Sequence, residues 1–156
     1  MRRITILCIL TSVLMLFSAC GSTLPSPDAT ELATEILDSL GEIDNFALAD
    51  SETVDIVFSC DSSVYEDFCV MYSTEDISAD IVAIFKSPDS ETQEATQEML
   101  EEFLESRLND FKGYAPLEVQ KIENTKLITY GSYDILIIIS DFDSAKSVVD
   151  SAFATE

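Results

Sequence analysis

The chain of 156 residues contains no histidine and no tryptophan. Without imidazole, Ser-His-Asp and Cys-His nucleophile systems and His-ligated metals are excluded, and without indole so are Trp platforms for sugars. Cations are scarce as well: 8 Lys and Arg face 30 Asp and Glu, a net charge of −22. Two of the bases, Arg2 and Arg3, lie in the leader, so the remainder sets six bases against 30 acids, a net −24. That balance argues against nucleic acid as a partner, since binding it requires a basic footprint to neutralise phosphates. The four glycines form neither a phosphate-cradling loop nor a nucleophile elbow. What is present is 47% hydrophobic content, too much for a disordered acidic tail. The length suits one domain, at roughly 100–200 residues each.

The N-terminus reads as an address. Met1 to Arg3 are followed by an apolar run from Ile4 to Phe17. At ~1.5 Å per residue the run spans roughly 21 Å, short of the ~30 Å hydrocarbon core a transmembrane helix must cross. Residues 1–19 are therefore expected to be a signal peptide. The segment Leu16-Phe17-Ser18-Ala19-Cys20-Gly21 resembles the bacterial lipobox, with Phe17 replacing the usual Leu. That resemblance implies diacylglyceryl transfer to the thiol of Cys20, and two acyl chains suffice for stable anchoring. Residues 20–27 are expected to be the lipidated N-terminus and a tether, because Gly21 to Pro27 is small, polar and Pro-containing. Membrane contact would rest on the lipid alone, as an acidic body is repelled by anionic headgroups. The expected location is the extracytoplasmic face of the cell membrane.

Residues 28–156 are expected to form a single α+β domain. Asp28 with Glu31 marks a helix start, Leu32, Ile36, Leu37 and Leu40 share one face, and Gly41 ends it. Asp50 to Phe58 leans to helix. Cys69–Ser73 and Ile81–Phe85 read as neighbouring strands. From Glu91 to Phe111 the set Ala95, Met99, Phe103, Leu104, Leu108 and Phe111 predicts a long helix. Tyr114-Ala115-Pro116 reads as a turn. Lys126–Tyr130 and Tyr133–Ser140 flank Gly131-Ser132, which suits a type II′ hairpin. Asp141 or Asp143 caps a last helix with Ala145, Val148, Val149 and Phe153 on one face. The sum is a small antiparallel sheet of about four strands, in two pairs, packed with three main helices. Because Ile135 to Ile139 is apolar on both strand faces, the sheet is either covered on both sides or leaves an apolar face for a partner.

Ser78-Ala79-Asp80, Ala83-Ile84-Phe85-Lys86, Tyr114-x-Pro116 and Gly131-x-Tyr133, in that order after a lipobox, resemble an uncharacterised family of Gram-positive bacterial lipoproteins. Their shared region is domain of unknown function 4358, and the likeness runs from about Asp44 to Phe153. The family often has Glu where this chain has Ile81, so no role for that carboxylate carries over. The resemblance implies no activity or cofactor. It implies a protein partner in the cell envelope, in a role beside membrane O-acyltransferases that modify surface polysaccharides.

Candidate chemistry is sparse. Cys60 and Cys69 remain once the leader and Cys20 are set aside, and two readings stay open: a disulfide, or two separate buried thiols acting as small hydrophobes. Glu94, Glu98, Glu101 and Glu105 follow helical spacing, as a cation-collecting stripe or a solvated face. Asp141-Phe142-Asp143 lacks the glycine and further acid of a calcium loop, so no metal site is expected. Tyr114, Tyr130 and Tyr133 could form a small binding surface, or simply pack. No catalytic residues are assigned, and the expected function is a non-catalytic binding or interaction module. The competing reading is a small cell-wall hydrolase with two carboxylates, which requires one buried acid of raised pKa in a cleft.

Overall fold

A computed structural model describes residues 25–154. The leader and Cys20 lie outside the described residues. Helix α1 (Ala29–Leu40) starts where Asp28 accepts bonds from the backbone N–H of Thr30 and Glu31. It ends at Gly41, whose φ of 70° is the left-handed cap conformation that glycine adopts without a Cβ penalty. The chain continues through β1 (Phe46–Leu48), α2 (Ser51–Phe58), β2 (Asp67–Ser73) and β3 (Ile81–Lys86). Then come α3 (Ser90–Phe111), α4 (Pro116–Asn124), β4 (Ile128–Tyr130), β5 (Tyr133–Ile138) and α5 (Phe142–Ala152).

All strands join one antiparallel sheet in the order β1-β2-β3-β5-β4. This corrects the expected four strands in two pairs. The two hairpins are fused by β3–β5 pairing, with Ile81 opposite Ile138 and Lys86 opposite Tyr133, and β1 adds a fifth strand. Five helices replace the expected three. In the β4–β5 hairpin Gly131 has φ 57° and Ser132 is not at positive φ, the sign pattern of a type II′ turn.

Strand alternation divides the core in two. Val82, Ile84, Ile135 and Ile137 point to one face, where α1 and α5 supply Leu32, Ile36, Leu37, Ala145 and Val149. Ala83, Phe85, Leu136 and Ile138 point to the other, covered by Val54 and Phe58 of α2, Leu100 and Phe111 of α3 and Ile122 of α4. Both faces of the sheet are thus covered, and of the two readings left open it is the covered core that holds. Each fully buried Leu or Ile contributes about 1.5–3 kcal/mol, so β3 and β5 anchor the domain. Phe85 centres an aromatic cluster, with ring centroids 5.4 Å from Phe58 and 4.8 Å from Tyr65.

The long helix α3 keeps its expected face, with Met99, Phe103, Leu104, Leu108 and Phe111 on the core, and departs from it only in the first turns. Ala95 is exposed while Thr96, one residue on, is buried. Thr96 tolerates burial because its hydroxyl donates to the carbonyl of Thr92 at 2.7 Å. Glu94, Glu98, Glu101 and Glu105 are all exposed, and among the described residues no three acids converge as metal ligands would, which favours the solvated face.

Candidate functional site

The residues singled out from sequence do not converge. Cys60 and Cys69 are free thiols, the second of the two readings left open. Cys69 points from β2 into the α1–α5 layer, whereas Cys60 packs on the other side against the α2–α3 layer, so the sheet separates them. Burial pushes both thiols up to about 11, which leaves them neutral and poorly nucleophilic.

The three tyrosines are likewise split. Tyr130 stacks on Phe153 at 4.8 Å and its hydroxyl donates a hydrogen bond to Asp150 Oδ1 at 2.7 Å. Tyr133, 3% exposed, donates to the carbonyl of Pro27 and shares a 2.8 Å bond with Ser26. The last residues of the expected tether are thereby fastened to the domain at the start of β5. Tyr114 is on the other side of the sheet, 61% exposed and stacked on Phe111. A shared tyrosine surface is therefore not formed: two pack, and one is free.

Two carboxylates have pKa values raised by burial. Asp134 on β5 is fully buried beneath α3, and its Oδ1 accepts from Gln97 at 2.9 Å and Thr129 at 2.8 Å. Its Oδ2 has no partner. Burial outweighs these bonds and raises the acid above its ordinary value. Enclosed in this way, Asp134 offers substrate no access. Asp80, at the end of the β2–β3 loop, is raised by burial as well but is held by Lys121 at 2.8 Å. Among the described residues no three acidic or thiol side chains converge as metal ligands would.

A groove of about 1270 Å³ lies between α4, the free edge of β4 and the start of α5. Lys121, Lys126 and Lys146 line it, but so do Glu118, Glu123, Asp141 and Asp143. Lys121 is committed to Asp80 and Glu118, and Lys146 to Asp150. A three-residue edge strand preceded by Lys126 is how sheets discourage unwanted pairing.

A more distinctive arrangement occupies the corner where α3 turns into α4. The Ser78-Ala79-Asp80 loop is held there by three side chains. Glu118 accepts from the Ala79 N–H at 2.8 Å, Lys121 binds Asp80, and Arg107 donates to the Ser78 carbonyl at 3.3 Å. The Arg107 guanidinium lies over the rings of Phe103 and Phe111, 5.9 and 5.1 Å from their centroids. Sequence reasoning missed Arg107; the available signal was a lone Arg on the apolar side of an acidic helix.

The family model described as Domain of unknown function (DUF4358) matches residues 41–139. The chain belongs to this family. The match spans the whole sheet with α2, α3 and α4, and so contains the loop corner around Arg107. Helices α1 and α5, which cover the other face, flank it. No curated protein and no solved structure matches the chain. Among the described residues no helix is long and apolar enough to cross a membrane.

Proposed function

We propose that this member of the family is a lipid-anchored extracytoplasmic protein that acts by binding a partner in the cell envelope. The observation that carries the reading is the polarity of the molecule. At one end Ser26 and Pro27 are fastened to Tyr133, so a short segment links Cys20 to the domain. At ~3.1 Å per residue that link keeps the domain within roughly 20 Å of the headgroups. From there β5 runs away from the anchored end, and the β2–β3 loop and the α3–α4 corner lie beyond its far end. Three of the exposed large apolar side chains, Ile77, Tyr114 and Leu117, occur in those two segments. Apolar groups held outward from a membrane suit contact with another macromolecule better than contact with lipid.

The test is processing and fractionation of the full chain in a bacterial host that matures lipoproteins. Wild type is expected in the membrane fraction with diacylglyceryl on an N-terminal Cys20, and Cys20→Ala is expected to lose that modification and stay unprocessed. An intact leader, or an unmodified thiol at the mature terminus, overturns the anchoring.

A further inference from the structure

Thirty acids are present in this chain, yet none of those described lies within ion-pair distance of Arg107. It is the one arginine of the described residues. Its guanidinium makes a single 3.3 Å bond, to the Ser78 carbonyl, and its Nε is enclosed without an acceptor. Nη1 has no hydrogen bond and is not among the enclosed atoms, so that edge of the fork reaches the surface. A guanidinium presents five N–H donors suited to bidentate carboxylate. Here the fork is also fixed in place by Phe103 and Phe111.

The surroundings are those of a protein contact. Tyr114 stacks on Phe111, the ring beneath Arg107, at 5.8 Å. Ile77, 62% exposed, adjoins Ser78, and Leu117, 71% exposed, adjoins Glu118, which binds the same loop. Arginine and tyrosine are enriched at interface hot spots, and the exposed aliphatic side chains beside them add apolar area to bury. Strand register puts this corner at the pole opposite Ser26 and Pro27, and α3 runs ~33 Å at ~1.5 Å per residue between the two ends. The anchoring membrane is therefore not its partner.

We propose that this pole, built from Ile77, Arg107, Tyr114 and Leu117, docks an acidic segment of a partner protein, with a carboxylate of that segment on the free edge of Arg107. The partner's apolar side chains lie against Ile77, Tyr114 and Leu117. The proposal rests on the binding role argued above and names the chemistry of the partner. Charge complementarity selects it: the corner offers a preorganised cation with no internal counter-ion, on a body that otherwise repels acids.

The experiment pans a phage-displayed random dodecapeptide library against the full chain in detergent micelles. Selected peptides are expected to carry Asp or Glu beside an aliphatic or aromatic residue, and to lose at least about tenfold in affinity, ~1.4 kcal/mol, to Arg107→Gln and to Leu117→Glu. Leu117→Glu alters only an exposed side chain, so its thermal unfolding should match wild type and separate lost contact from lost fold. No enrichment, enrichment of peptides without acids, or undiminished binding to both variants overturns the proposal. The mass of Cys20 in the same preparation reports on the anchor independently.

Discussion

Asp134 is fully buried in a sheet strand with one carboxylate oxygen unpartnered, although Gln97 and Thr129 serve the other. Burial raises its pKa, so the folded chain holds the proton more tightly than the unfolded chain does. The sign follows: this contribution to stability is complete below the ordinary carboxylate value of 3.8 and is lost as pH rises towards the folded value. Asp134→Asn keeps an acceptor for Gln97 and Thr129 and cannot ionise. In urea unfolding, the stability difference is expected to move in the variant's favour between about pH 4 and about pH 7. A pH-independent difference would show that Asp134 titrates alike in both states. Nothing in the pattern around Tyr133-Asp134-Ile135 marks that acid as buried, because strand alternation alone assigns no neighbour to a polar inward residue. Cys60 and Cys69 were equally opaque: nine residues apart in sequence, they are separated by the sheet itself.

Helix α4 shows how an element with little burial of its own is retained. Ile122 is its one buried residue, and Leu117 is exposed. Its hold comes from polar bonds: Glu118 to Ala79, Lys121 to Asp80, and the helix-capping Thr125 to the carbonyl of Ile137 at 3.0 Å. Burial pulls the Lys121 pKa down, but the bonds to Asp80 and Glu118 outweigh it and raise it overall. Replacing Lys121 by Met leaves two largely buried carboxylates facing each other without a cation. The expected cost is roughly 2–3 kcal/mol in chemical denaturation, with amide exchange in α4 accelerated first. Unchanged protection there would show that α4 is held by packing alone. The same facts explain why α4 was not legible in the sequence. Pro116 is a good first helical residue, but the apolar residues that follow do not form a buried stripe. By contrast α1, α5 and the β4–β5 hairpin were readable, since caps, periodicity and the Gly-Ser turn agreed. Strand β1 was not, because three half-exposed residues leave no period to detect. In α3 only the position of Ala95 was misjudged, because it resembles a core residue and Thr96 does not.

At the scale of the whole molecule, charge and topology set the behaviour. Ion pairs among the described residues engage only Lys86, Lys121 and Lys146, so most acids repel one another across the surface. Screening should relieve that repulsion: the Debye length falls from about 30 Å at 0.01 M salt to about 8 Å at 0.15 M. The Tm of the full chain is expected to rise over that interval in calorimetry, and a flat response would show that its acids are too dispersed to interact.

The strand order carries a further consequence. β3 pairs with β2 on one side, a short local return, but its other edge waits for β5, beyond α3, α4 and β4. Until Ile138 has emerged, a strand whose five residues from Ile81 to Phe85 are all destined for the interior stays unpaired along that edge. A chain appearing vectorially from its N-terminus thus carries an open, sticky edge through most of its synthesis, until Tyr133–Ile138 arrives to close it.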